Sequence, residues 1–160
     1  MPMPATPTID FSQLDFTKPV ATKAQIYTRL KQAGRFALLD GVLRFAEDER
    51  MSIGFKDIKA DDWWCADHVP GRPLFPGVLM IETAAQLASW DHMMRHPEQK
   101  GFIGFGGLND TRFRGQVEPG HKLVFVAREN RVRSKMFFYG VQGYVDQSLV
   151  FETEVIGVVI

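Results

Sequence analysis

His68, the pair Gly77-Val78 and Glu82 fall within a stretch of fifteen residues. Together they offer a base, two backbone donors and an acid. Histidine is the side chain whose ordinary pKa, about 6.5, best suits proton abstraction near neutrality. Glu82 lies in the run 77–94, which is apolar on nearly every face through Leu79, Met80, Ile81, Ala84, Ala85, Leu87, Ala88, Trp90, Met93 and Met94. A helix apolar all round is a buried helix. Its polar members Glu82, Gln86 and Ser89 recur at spacings of four and three and share one stripe. Burial raises a carboxyl's pKa, which suits Glu82 to act as an acid with Gln86 as its hydrogen-bonding neighbour. At the helix start, Gly77 and Val78 present amides without internal partners, aimed where the helix dipole favours negative charge. Such donors can hold a carbonyl oxygen as it becomes an oxyanion. The set suits elimination of water from a 3-hydroxyacyl thioester: one group takes the alpha proton, the amides hold the enolate-like oxygen, and an acid protonates the departing hydroxyl.

Positioning these groups falls to the loop between them. Pro70, Pro73 and Pro76 push the residue before each into extended backbone, so the loop is stiff by composition. The whole segment reads His68-Val69-Pro70-Gly71-Arg72-Pro73-Leu74-Phe75-Pro76-Gly77-Val78-Leu79-Met80-Ile81-Glu82, followed by Ala85-Gln86. It resembles the signature of the (3R)-hydroxyacyl-[acyl carrier protein] dehydratases of the FabZ type. The sister FabA type, which also isomerises the double bond, carries Asp where this chain has Glu82. Looser echoes of the family lie at Arg35, Phe36, Leu38, Leu39 and Asp40, and at Gly106, Gly107, Arg112 and Phe113.

Composition narrows the setting. The 160 residues fit one domain with a sizeable core, 45% of them being hydrophobic. Lys plus Arg and Asp plus Glu number 19 each, which gives no global pull towards nucleic acid or a membrane surface. A single cysteine, Cys65, excludes an intrachain disulfide framework and fits a reducing compartment. With no secretory signal and no long apolar run, a cytoplasmic protein is expected.

Along the chain, residues 1–20 with four prolines read as a poorly ordered or surface-draped extension, and 21–160 as a single domain. Helix spacing covers 20–33, stopped by Gly34. Strands are expected over 35–44, interrupted at Asp40-Gly41, and from Met51 to Ile58 with Ile53, Phe55 and Ile58 on one face. Residues 47–50 form a turn between them. After the central helix, 92–100 is polar and helix-ending. The run 101–114 reads as a glycine-rich strand and a turn, without the spacing of a nucleotide loop. Strands at 122–129, 136–145 and 148–159 follow Pro119-Gly120, broken at 130–134 and 146–147 as an antiparallel meander. One long apolar helix with these strands predicts an α+β fold, a curved antiparallel sheet wrapping the helix. The resemblance, which spans about residues 30–158, names it the hotdog fold.

By the same resemblance, two subunits pair through their sheets, and His68 of one meets Glu82 of the other in a tunnel; trimers of such homodimers also occur in the family. The substrate rides on phosphopantetheine of an acyl carrier protein, with no cofactor and no metal. The carrier is acidic, so Arg112, Arg114, Lys122, Arg131, Arg133 and Lys135 are the basic residues expected to dock it. The chain departs from the family at Asp67 and Val69, where Gly and Phe are usual, and at Trp63-Trp64, which replaces a region that commonly reads Pro-Phe-Phe. Asp67 is placed to orient His68 or raise its pKa, and the tryptophans to reshape the tunnel. Other sites are weaker: Cys65-x-x-His68 lacks a second ligand pair, His92 and His96 at i and i+4 read as a solvated helix end, and His121 as a turn residue. Two alternatives share the fold, an acyl thioesterase that redeploys Glu82 to activate water and a non-catalytic acyl-binding scaffold.

Overall fold

The computed structural model describes residues 9–160. Seven strands form one antiparallel sheet: β1 (Ala21–Thr22), β2 (Gly41–Ala46), β3 (Met51–Asp57), β4 (Ile103–Phe113), β5 (Lys122–Arg133), β6 (Met136–Val145) and β7 (Ser148–Val159). Their order is β1-β2-β3-β5-β6-β7-β4. Three helices accompany them, α1 (Lys23–Arg29), α2 (Trp64–Asp67) and α3 (Gly77–Arg95). The sheet curves around α3, and this is the expected hotdog arrangement.

α3 is buried over most of its length because apolar residues occupy most of its faces. Leu79, Met80, Ala84, Ala85, Leu87, Ala88 and Trp90 all lie in the main core with Phe125, Phe137, Val141, Phe151 and Val155 from the sheet. Each large side chain of that kind stabilises the fold by about 1.5–3 kcal/mol. The other face of β3 and β5 is apolar too: Met51, Ile53, Phe55, Val124 and Val126 form a second cluster. The extension covers it, with Phe11 edge-on to Tyr144 at 5.2 Å and Phe16 edge-on to Phe55 at 5.0 Å. Draping therefore describes residues 9–20; residues 1–8 of the extension lie outside the described residues.

The hairpins follow the sequence closely. Asp146 and Gln147 both have positive φ, at 48° and 70°, as a two-residue turn between β6 and β7 demands. Five readings differ. The amphipathic helix α1 covers only Lys23–Arg29, opened by Thr22 and Gln25 in a reciprocal capping box. The strand expected from residue 35 begins at Gly41. Upstream of it the Phe36 carbonyl and the Leu38 and Leu39 amides bond to the side chains of Gln86 and Tyr27 instead of a neighbouring strand. Ile58 joins the main core whereas Ile53 and Phe55 join the second cluster, because strand alternation sends an even-numbered position to the face opposite 53 and 55. The turn read after the glycine run is a bulge within β4, where the register to β7 shifts between Asn109 and Arg112 around Asp110, φ 51°.

The break expected at 130–134 is the largest difference. β5 continues through Arg133, and the turn is at Ser134-Lys135. This longer hairpin reaches over the end of α3, and Gln99 donates to the Ser134 carbonyl at 3.3 Å. His92, expected on a solvated helix end, is consequently 2% exposed.

Candidate active site

His68 caps α2, its N–H bonded to the Trp64 carbonyl at 2.9 Å. Trp64 is core beneath the loop, 1% exposed and edge-on to Phe75 at 5.3 Å, while Trp63 is exposed. The proline loop is tied down by the Phe75 amide on the Val117 carbonyl at 2.8 Å and by Arg72 donating to Gln116 at 3.1 Å. Inside it the Leu74 carbonyl stands 2.9 Å from His68 Nδ1. A carbonyl only accepts, so Nδ1 carries the hydrogen and the neutral ring presents Nε2 as a free base. The orienting partner of His68 is thus Leu74, not Asp67, which is exposed at the end of α2.

The start of α3 has its acceptors arranged as a donor site requires. Pro76 is extended (φ −61°, ψ 132°), and no side chain caps the helix. The Pro76 carbonyl takes the Leu79 and Met80 amides at 3.0 and 3.2 Å, leaving those of Gly77 and Val78 without an intrahelical acceptor. Gly77 is needed for a close approach, since a Cβ there would stand 2.8 Å from the Phe113 ring. Val78 is 70% exposed, an apolar side chain facing out beside the amides.

One turn further on, Glu82 is half-buried and Gln86 is 1% exposed. Gln86 Nε2 donates to Glu82 Oε1 and to the Phe36 carbonyl, both at 2.8 Å. Gln86 Oε1 accepts from the Tyr27 hydroxyl at 2.6 Å, and that hydroxyl accepts from the Leu39 amide at 2.8 Å. Every hydrogen-bonding direction in the relay is determined, so the Gln86 amide cannot flip without breaking it. Burial pushes the Tyr27 hydroxyl's pKa well above the ordinary phenol value. Sequence reading did not single out Tyr27; the hydroxyl that fixes Gln86 is 59 residues away in the chain, and no spacing rule reaches that far.

Glu82, Gln86 and Ser89 line a cavity of about 70 Å³ with Ile103, Phe105 and Ile156. The stripe read from the sequence is therefore one wall of a real pocket. His68 does not line it. Ligand sites run to about 300–1,000 Å³, so the pocket of one chain is too small to be a complete acyl site. The basic residues expected to dock a carrier do not form one patch. β5 is 12 residues and roughly 40 Å long, with Lys122 at one end and Arg133 at the other. Arg112 and Arg114 share the Lys122 end, beside Gly77 and Phe113; Arg131, Arg133 and Lys135 lie at the far hairpin. Of the first group Arg114 is paired with Glu152 at 2.9 Å and Lys122 with Asp57 at 2.5 Å.

Comparison with known proteins places this geometry. A dehydratase heterocomplex, ApeI:P from Xenorhabdus doucetiae, superposes with a TM-score of 0.70 at 14% identity, covering 84% of this chain and 90% of that one. The Escherichia coli PaaI protein of a phenylacetic acid degradation operon gives 0.56 at 11% identity, over 71% and 79%. Those likenesses show the fold. In sequence, the 3-hydroxyacyl-[acyl-carrier-protein] dehydratase FabZ of Pelotomaculum thermopropionicum is 36% identical over 120 residues, 74% of this chain and 84% of that protein. The FabZ of Paracidovorax citrulli is 31% identical over 134 residues, 82% and 91%. A FabA-like domain matches residues 30–154, from the segment before β2 to the last strand, with the His68 loop and α3 inside it; the chain belongs to the FabA-like family.

Proposed function

We propose that the unit 21–160 of this chain removes water from (3R)-3-hydroxyacyl thioesters carried on the phosphopantetheine arm of an acyl carrier protein, giving trans-2-enoyl thioesters. The observation that carries this is the His68 Nδ1 contact to Leu74, which leaves Nε2 as a base. Nε2 takes the alpha proton, and the amides of Gly77 and Val78 hold the thioester oxygen as charge moves onto it. Glu82, held by Gln86, protonates the beta hydroxyl as its C–O bond breaks, and the alpha–beta double bond forms with release of water. The elimination is redox-neutral and asks only for an acid, a base and an oxyanion donor, so neither cofactor nor metal takes part in it.

His68 and the Glu82 pocket are separate in one chain, and the pocket is small. Both facts support a homodimer in which His68 of each copy completes the Glu82 pocket of the other, with assembly into trimers of dimers as a further step. The exposed Val78 and Phe113 beside the site suit that contact. Arg112 and Arg114, at the same end, are the residues best placed to meet an acidic carrier. The single cysteine fits a reaction of the cytoplasm.

Turnover of a short (3R)-3-hydroxyacyl-carrier substrate by wild type, His68→Ala and Glu82→Gln tests the reading. Enoyl thioester from wild type that falls about 10²–10⁴-fold in both variants supports it. Free acid in place of enoyl product makes the protein a thioesterase, and tight binding without turnover across a chain-length series makes it a scaffold.

A further inference from the structure

The far end of α3 gathers ionisable side chains that the dehydration does not use. His92 and His96, one turn apart, face Glu129 of β5, with one ligand atom from each lying within 4.8 Å of the others. From Glu82 to His96 is roughly 20 Å along the helix, so this is a separate place.

His92 is 2% exposed and its ring stacks on Phe137, centroids 3.9 Å apart and 14° from parallel. Phe137 in turn occupies the space over Gly157, where any Cβ would run into it. The ring is therefore fixed. Its Nε2 contacts Gln99 Oε1, an oxygen that can only accept, so Nε2 carries the hydrogen and Nδ1 presents a lone pair. Nδ1 is buried without a hydrogen-bond partner and stands 3.9 Å from Glu129 Oε2, another acceptor.

The neighbouring hydrogens are engaged elsewhere, and none reaches His92 Nδ1. Tyr139 has one hydrogen for two carboxylate oxygens, Asp91 Oδ2 at 2.6 Å and Glu129 Oε2 at 3.1 Å. His96 Nε2 donates to Glu129 Oε2 at 2.7 Å, a hydrogen that a cation would displace, and its Nδ1 is 3.8 Å from Glu98. Arg50 pairs with Glu129 through Oε1, and Arg95 is taken up by Asp91 and by the carbonyls of Ala46, Glu47 and Met51.

We propose that His92 Nδ1, His96 Nε2 and Glu129 Oε2 bind a divalent cation of the zinc type. Two imidazoles and a carboxylate are a zinc donor set, and three protein ligands leave a fourth position for water. Gln99 on the far nitrogen of His92 is the orienting acceptor such a ligand normally has. An open groove lined by Phe45, Arg50, Met94, His96 and Glu129 gives the ion its entry. Its role is to tie the end of α3 to β5, not to take part in the elimination.

The test is a titration of the purified full chain, stripped by chelator, with Zn²⁺ against a chromophoric competitor and with Co²⁺ as a spectroscopic probe. One ion per chain is expected, with the visible absorption of four-coordinate cobalt. His96→Ala should weaken binding by more than the roughly 10- to 100-fold that loss of an orienting partner costs, and so should the isosteric Glu129→Gln. Zn²⁺ should raise the Tm of wild type and not of His96→Ala. His96 is partly exposed, so that variant keeps the fold, and its equal Tm with metal-free wild type checks this. Undiminished binding in both variants, or no ion bound to wild type, overturns the proposal. Turnover of the hydroxyacyl substrate is expected to survive removal of the ion, so failure here is distinguishable from failure of the dehydratase reading.

Discussion

The two ends of α3 each carry a carboxylate in a network that includes a tyrosine hydroxyl, yet they are built to opposite ends. Glu82 has one oxygen held by Gln86 and stands at the wall of a cavity. Asp91 is fully buried, with both oxygens taken by Ser52, Arg95 and Tyr139. A carboxylate bonded on every side is fixed in charge and position. One held on a single side keeps a lone pair for a substrate. The positioning of polar groups is similar at both ends; what differs is how much of each group the protein has left uncommitted.

The sharpest way to test that contrast is to ask whether the uncommitted carboxylate is shared between copies. Mixing His68→Ala with Glu82→Gln protein, with subunit exchange, should restore roughly a quarter of wild-type enoyl formation, since half the dimers are mixed and each has one intact site. Recovery absent after proven exchange would put both residues in one subunit's site.

The next effect separates the ends by stability. Asp91→Ala leaves the Arg95 guanidinium buried without its carboxylate and should cost about 3–5 kcal/mol. Glu82→Gln should stay within about 0.5 kcal/mol of wild type, because the amide still accepts from Gln86. Urea unfolding of both measures the difference. Equal losses would erase the distinction between a committed and an open carboxylate.

A smaller effect compares the tyrosines. Tyr27→Phe and Tyr139→Phe should each cost about 1–3 kcal/mol through the partners left unpaired. Only Tyr27→Phe should also lower turnover, a few-fold, because Gln86 loses the hydroxyl that fixes its amide. If both lower turnover alike, the relay to Glu82 is not what Tyr27 provides.

The smallest effect is in alkaline solution. Burial raises both phenols above their ordinary value of 10.0, so the folded chain retains protons that the unfolded chain gives up. Their contribution is complete below about pH 10 and declines as the pH rises beyond it. Each Phe variant should flatten that decline, as read from unfolding free energy between pH 9 and pH 11.

Much of the candidate site was legible because its parts are close in the chain. The His68-to-Glu82 stretch, the stripe of Glu82, Gln86 and Ser89, and the two-residue turn at Asp146-Gln147 are local patterns, fixed by helix period, proline and turn chemistry. The partners of those residues were not legible. Tyr27 reaches Gln86, Glu129 reaches His96 just past the end of α3, and Tyr139 reaches Asp91 within it, across 59, 33 and 48 residues respectively. A basic cluster at 112–135 looked continuous in sequence and is divided in space because a strand carries its ends apart.

The amino-acid sequence by itself determined the elements and the residue types of the candidate site: a mostly apolar helix, strands that alternate, a stiff proline loop, a histidine and a glutamate at a set spacing. Tertiary structure alone decided which lone pairs were left open. That follows from the physics of the bonds involved: helix and turn preferences act over a few residues, whereas a buried hydrogen bond or an unfilled acceptor depends on what the fold brings within 3 Å of it.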